Sequence, residues 1–350
     1  MRTAAVRAVL ASIVAGGLLA GCSSSDTGGT TGKADRNPVL GASGNASEGP
    51  SAAPSTLADG MGSDQDTDGA FPRTVTHFEG RTTVRAQPRK IAVLSTGQLD
   101  DLLSLGVVPT ATTRADNAGL VPGYLADAFP TYKKRLSGMT DAGTRQAPNL
   151  ETLATAKPDL ILANDSLGDL YPKLSKIAPT VITAGNGINW KRDLLLVGDA
   201  VGKGGAARKL LDDIVADARA KGRSIEGDPA VSMVRFTPGR TRMFGVSSFT
   251  GSLAVDMGLS RPKSQRFRAI SQDIGAESID TADGDWIFYS VQGDASRTDA
   301  ASIVAGPLWK SMKAVQAGQA VKVDDDPWYL NAGPSAARLV ISRLADALGK

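Results

Sequence analysis

The sequence predicts an α/β protein built as two similar lobes, with parallel β-sheet covered by helices. Three observations predict it. Short apolar runs alternate with helical stretches from Lys90 onward. A matching unit occurs once in each half: Glu151 to Leu162 and Glu277 to Phe288 each open on a Glu, carry an Asp at the same offset (Asp159 and Asp285), and pass directly into a buried strand. The chain has 350 residues, 41% of them hydrophobic and 21% charged, which is enough to bury two compact cores.

The elements follow in order. Lys90 to Leu94 is a buried strand. Gln98 to Leu105 places Leu99, Leu102 and Leu103 on one helical face, and Gly106 stops it. Val107 to Ala111 is expected as the next strand. Leu150 to Ala156 is a short helix capped by Asn149 and ended by Lys157-Pro158. Leu160 to Ala163 and Thr180 to Thr183 are strands. Trp190 to about Lys221 is largely helical, interrupted at Gly202, Gly204 and Gly205, with Leu210, Leu211, Ile214, Val215 and Ala218 on one face of its second part. A second series follows: strands at Val231 to Phe236, Trp286 to Tyr289 and Ala320 to Val323, and a terminal helix from about Ser335 to Leu348.

The amino terminus is not part of this fold. Residues 1–21 have the features of a signal peptide: Arg2 and Arg7, then an apolar stretch too short to span a bilayer, then Leu19-Ala20-Gly21 before Cys22. Small residues before the only Cys look like a bacterial lipobox, so Cys22 is the expected lipidation site. Two acyl chains would give stable anchoring outside the cytoplasm. Residues 22–70 are rich in Gly, Ser, Thr, Ala, Pro and Asp and read as a flexible tether, with the folded part beginning near Phe71.

Several function classes are excluded. A net charge of +3 without a Lys/Arg block does not suit a nucleic-acid binder. One His and one Cys cannot build a His/Cys metal cage, and no cofactor is expected. No Gly-x-Ser-x-Gly elbow occurs. His77 lies in an extended stretch and reads as a structural strand residue. Gly198 to Lys203 is one residue short of a phosphate-binding loop, and Gly185 to Trp190 has only half of a dinucleotide fingerprint. A non-enzyme is expected.

Four segments together resemble the iron–siderophore class of ABC-importer binding proteins, close to ferric-hydroxamate and ferrioxamine receptors. They are Pro88 to Leu94 with Leu102 to Pro109; Pro148 to Glu151 with Lys157 to Ile161; Val231 to Phe236 with Ser248 to Gly251 and Gly258 to Gln265; and Asp326 to Trp328 with Gly333 to Ala337. The resemblance implies a class III periplasmic-binding-protein fold: two Rossmann-like lobes, 71–205 and 223–350, joined by one long helix, 206–222. It implies a monomer with its ligand in the cleft between the lobes and a membrane permease as partner. Glu151 and Glu277 match the surface acids that dock on that permease; each also opens a helix, where an anion is favoured in any case.

Ligands of such lobes sit beyond the carboxyl ends of the strands. The candidates there are Ser95, Thr96, Gln98, Arg114, Tyr124, Asn189 and Trp190 in the first lobe. In the second they are Arg235, Phe236, Phe249, Arg261, Tyr289, Trp328 and Tyr329. Arginine forks can donate to iron-bound oxygens, and Trp or Tyr rings can cover apolar linkers. A nearly neutral ferric trihydroxamate fits about three arginines better than a tricatecholate. Haem, a corrinoid or a ferric catecholate on the same fold is the alternative. For Trp190, Arg235, Arg261 and Trp328 the competing reading is plain packing or pairing with a carboxylate.

Overall fold

A computed structural model describes residues 53–95, 97–115 and 118–349. The signal peptide, Cys22 and the tether as far as residue 52 lie outside the described residues, as does Thr96. The folded body begins earlier than Phe71. Ala53 is buried, and Leu57 and Met61 pack against the main core. Strands β1 (Gly62–Ser63), β2 (Arg73–His77) and β3 (Gly80–Val84) then form an antiparallel sheet in that order. Polar side chains fasten this arm. Asp68 accepts hydrogen bonds from Gly205 N (2.8 Å) and Ala206 N (3.0 Å), and buried Arg73 donates Nη1 to the Asp199 carbonyl (2.9 Å). The few apolar anchors are too widely spaced to show a period, which is why composition alone reads as tether.

His77 is a buried strand residue. Its Nδ1 accepts from Glu79 N (3.2 Å), so Nε2 carries the proton and donates to Thr82 Oγ1 (2.9 Å), which donates to the Thr180 carbonyl (2.7 Å). Burial holds its pKa down at about 4.

The first lobe alternates β4 (Ile91–Val93), α1 (Gln98–Ser104), β5 (Ala111–Arg114), α2 (Gly123–Ala128), α3 (Lys133–Ser137), β6 (Thr140–Thr144), α4 (Leu150–Ala156), β7 (Leu160–Asn164), α5 (Tyr171–Ile177) and β8 (Thr180–Thr183). Its five strands are all parallel, in the order β6-β5-β4-β7-β8. Strand β5 starts at Ala111, where the expected strand ends. Pro109 has no N–H for the ladder, so the chain pairs only beyond it. Helix α4 is capped as expected: Asn149 Oδ1 accepts from Thr152 N (2.9 Å), and Lys157 closes it in the left-handed region.

Helices α6 (Trp190–Ala200) and α7 (Gly204–Gly222) carry the chain to the second lobe, with a break at Gly202, whose φ is +71°. The expected connector is α7, begun two residues earlier because its capping carboxylate comes from distant Asp68. The second lobe contains β9 (Val231–Thr237), β10 (Arg240–Phe244), α8 (Phe249–Asp256), β11 (Ser271–Ile274), β12 (Trp286–Val291), α9 (Ala300–Ala305), α10 (Pro307–Ser311), α11 (Lys313–Gln316), β13 (Ala320–Lys322) and α12 (Pro334–Leu348). Its order, β11-β10-β9-β12-β13, parallels that of the first lobe. The sheet is mixed, however. Pro238-Gly239 makes a two-residue turn, so β10 returns antiparallel to β9 and β11 pairs antiparallel to β10.

The internal repeat has one structural role in both lobes. Asp159 N donates to the Lys90 carbonyl and Asp285 N to the Ala230 carbonyl, each at 2.8 Å. The Asp159 carboxylate accepts from Arg89 N and Lys90 N, and that of Asp285 from Ala230 N. In each lobe the acid therefore registers one parallel strand against the central one. A continuous apolar core runs from the inner face of the first sheet through α6, α7, α8 and α12 to the second sheet; two smaller clusters cover the outer faces.

Candidate functional site

The lobes meet along the segment 324–333, which leaves β13 and enters α12. From the first lobe, Arg145 follows β6 and donates Nη2 to Asn331 Oδ1 (2.7 Å). Burial lowers its pKa, with Tyr124 and Asp326 opposing that shift. Asp100 in α1 accepts from Ser335 N and Ala336 N, both at 3.0 Å. It thereby supplies from the first lobe the anion that caps the first turn of α12. Gly97, with φ +84°, lies so close to the Ala332 carbonyl that a Cβ there would collide with it. Arg114, at the end of β5, is over a third exposed and lies 3.4 Å from Asp141.

The second lobe offers a row of guanidinium groups on one face of its sheet. Arg235 and Arg242 are directly opposed across β9 and β10, and Arg240 lies two residues before Arg242, hence on the same face. Each has a carboxylate. Arg235 grips Asp325 with two bonds of 2.7 and 2.6 Å, and Ser290 Oγ donates to the same Asp325 at 2.7 Å. Arg240 pairs with Asp273 at 2.8 and 3.0 Å. Arg242 donates Nη2 to Ser271 Oγ, while its Nε makes no hydrogen bond and lies 3.7 Å from Asp273. Burial and then the like charge of Arg240 lower the Arg242 pKa. Two rings link the row: Tyr329 lies 4.6 Å from Phe244, with Arg235 at 6.0 Å from the former and Arg242 at 5.5 Å from the latter.

The structure brings together some expected residues and removes others. Arg114, Arg235, Tyr124 and Tyr329 lie around this junction. Arg235 takes the carboxylate pairing that was its alternative reading. Five aromatics belong to packing instead. Trp190 is 1% exposed, donates Nε1 to Ser252 Oγ (3.1 Å) and meets buried Phe249 edge-on at 5.3 Å, so both seal α6 against α8. Phe236 points to the opposite face of the sheet from Arg235, against Tyr289 and Trp309. Tyr289 shares that face. Trp328 stacks on Phe288 at 5.1 Å and is enclosed. Arg261 is also buried. It donates to the Phe244 carbonyl (2.8 Å) and Gln265 Oε1 (2.5 Å), and burial brings its pKa down to about 10. Gln98 and Asn189 are buried as well, Gln98 bridging to the Ala163 carbonyl and Thr183.

Sequence reasoning missed Arg145, Arg242, Asn331 and Asp325. The available signal for Arg145 was its place three residues before Pro148-Asn149-Leu150-Glu151. Thr140–Thr144 has no apolar run, so nothing in the local pattern marks the strand that positions it. Glu151 and Glu277 are both exposed, Glu151 in the first turn of α4 and Glu277 in a short helical turn over 276–282.

Residues 91–327 match the model of the periplasmic binding protein family. The probable siderophore-binding lipoprotein YfiY of Bacillus subtilis is 32% identical over 286 residues, covering 77% of this chain and 85% of that protein. The iron(3+)-hydroxamate-binding protein FhuD of the same organism is 26% identical, covering 78% and 85%. The crystal structure of Staphylococcus aureus SirA complexed with staphyloferrin B superposes with a TM-score of 0.70 at 26% identity, over 79% of this chain and 98% of that one.

Proposed function

Because the chain belongs to the periplasmic binding protein family, we propose that it captures a ferric trihydroxamate siderophore at the junction of its lobes and hands it to an ABC importer. Siderophore binding agrees with the names of its relatives, YfiY and FhuD among them. One observation carries the choice of hydroxamate: the guanidinium groups at the junction already have carboxylates. Arg235 has Asp325, Arg240 and Arg242 share Asp273, Arg114 has Asp141, and Asp326 acts on Arg145. The local field is thus largely cancelled. Such a wall can donate hydrogen bonds to the oxygens of a near-neutral chelate, but it gives a trianionic tricatecholate little in return for its lost hydration. A ferric hydroxycarboxylate is the second reading, favoured by the Arg242 Nε that makes no hydrogen bond.

Export and lipid anchoring at Cys22 are part of the same proposal. No helix among the described residues is long and apolar enough to cross a membrane. Glu151 and Glu277 are proposed as the two contacts with the permease.

The test is calorimetric titration of the soluble protein with a ferric trihydroxamate, a ferric hydroxycarboxylate, a ferric tricatecholate and haem. The trihydroxamate should bind at least about tenfold more tightly than the others. Preference for the hydroxycarboxylate would replace the first reading by the second, and preference for haem would remove the siderophore assignment.

A further inference from the structure

Arg261 lies beneath the face of the second sheet that carries the guanidinium row. Its Nη1 is 3.4 Å from Met233 Sδ, and Met233 precedes Arg235 by two residues in β9, hence shares its face. Only 3% of Arg261 is exposed. Its charge meets neutral groups: the Phe244 carbonyl, Gln265 Oε1 and the Met233 sulfur, while Nε makes no hydrogen bond. Among the described residues no carboxylate pairs with it, and the titratable group that acts on it is Tyr329, a phenol. The row itself differs. Arg235 has Asp325, and Arg240 and Arg242 share Asp273. The charge left over at that shared acid is at a wet margin, where the side chains of Arg240 and Asp273 are 53% and 49% exposed, so water and salt screen it.

A buried guanidinium without a counter-charge is costly. Holding the Phe244 carbonyl does not require it, since a neutral amide donor would serve at lower cost. What the cation alone supplies is a field. The Phe244 ring lies 4.6 Å from Tyr329, and Tyr329 lies 6.0 Å from the Arg235 guanidinium, so Arg261 sits one layer behind the rings of the wall. A buried charge at that depth is screened far less than an exposed one.

We infer that Arg261 determines charge specificity without touching the ligand: its unneutralised charge, acting through Phe244 and Tyr329, makes the wall favour a ferric chelate with one net negative charge over an otherwise identical cationic one. This rests on the hydroxamate reading above and narrows it from near-neutral chelates in general to neutral and singly anionic ones. One surplus cation matches one negative charge, so the case against a trianionic chelate stands. Gln265 keeps the charge in place. Its Oε1 accepts from Arg261 and from Met233 N (2.9 Å), and its Nε2 donates to Ser232 Oγ (2.7 Å).

The experiment compares by calorimetry three forms of one linear ferric trihydroxamate: with a free ammonium end, with that end acetylated, and with it succinylated to a carboxylate. At physiological ionic strength, which screens exposed charges, the unaltered protein should prefer the anionic to the cationic form by about tenfold. Gln265→Glu keeps the side-chain shape but sets a carboxylate on the guanidinium, and the Ser232 hydroxyl can donate to it in turn. In this variant the preference should shrink to within about threefold, while affinity for the neutral acetylated form stays within about twofold. If Gln265→Glu does not fold, Arg261→Met and Arg261→Lys decide: the first should abolish the preference and the second, which keeps the charge, should retain it. Equal affinities for the three forms in the unaltered protein would overturn the inference. So would a preference that survives neutralisation, which would assign it to other charges, and so would an equal loss for all three forms, which would make Arg261 a structural residue only. Failure of all three to bind the unaltered protein would instead remove the hydroxamate reading, and this role with it.

Discussion

One imidazole ties the amino-terminal hairpin to the first lobe, and its surroundings make that tie pH-sensitive. His77 bridges Glu79 N and Thr82, and Thr82 continues to the Thr180 carbonyl in β8. Both ring nitrogens are used by the neutral form, so a second proton would break one bond and leave a buried charge. The folded pKa of about 4 lies below the ordinary 6.5. The stabilisation is therefore complete above pH 6.5 and is lost as pH falls toward 4. The difference corresponds to about 3 kcal/mol. Urea unfolding measured from pH 7 to pH 4 should show this loss, and His77→Gln, which keeps one donor and one acceptor, should flatten it. A variant with the same slope would assign the acid sensitivity elsewhere; Asp193, whose pKa burial raises to about 7, works the other way, since its protonation favours the folded state as pH falls. Residue roles were the least legible level. Arg235, Arg261 and Trp328 are the residue types a ligand site needs, yet strand alternation and a neighbour such as Asp325 decide whether they face a cleft or the core. A linear pattern does not carry that choice for Phe236, which occupies a continuous buried run in β9.

At the scale of elements, most of the helices and strands were legible because their apolar periods and caps are local. Asn149 caps α4, Ser248 caps α8 through Gly251 N (3.0 Å), and the runs at 91–93, 160–164, 180–183 and 231–237 are strands. Elements that depend on distant partners were not. Strand β6 is polar and exists because β5 pairs with it. The β1–β3 sheet is short and polar. Helix α7 takes its cap from Asp68, 137 residues before Gly205. This last contact yields a prediction. A soluble fragment begun at Phe71 loses Asp68 and the anchors Ala53, Leu57 and Met61, and should unfold at a lower temperature than one that includes residue 53. In the longer fragment Asp68→Ala alone should cost about 1 kcal/mol, a drop of about 2 °C in the midpoint by calorimetry. Equal midpoints for the two fragments would mean that the arm contributes nothing to the stability of the connector.

At the scale of the molecule, the lobes are joined by more than one helix. Buried Lys191 in α6 pairs with Asp256 in α8 at 2.6 Å, Trp190 seals the same junction, and Asp100 grips the start of α12. Breaking such a buried pair by removing one partner typically costs about 3–5 kcal/mol, so these contacts resist wide separation of the lobes. A nearly rigid body would present acids on both lobes at a fixed spacing, which is what a two-sided grip on a permease requires. The prediction is that Glu151→Ala/Glu277→Ala binds ferric siderophore with affinity unchanged within about twofold, but that cells carrying it lose uptake of the labelled complex. Normal uptake would remove the docking role from these two residues.

By itself the sequence determined the α/β class, the two-lobed plan and the internal repeat, because these rest on local periodicity and on capping within a few residues; the strand registers that Asp159 and Asp285 hold belong to the tertiary structure, since their partners lie far away in the chain. Only the tertiary structure decided which arginines face the junction, which aromatics are core, that the second sheet is mixed, and where the folded arm begins. Those outcomes depend on pairing between side chains far apart in the chain, as with Arg145 and Asn331 or Asp100 and Ala336, and no spacing along the sequence encodes such a meeting.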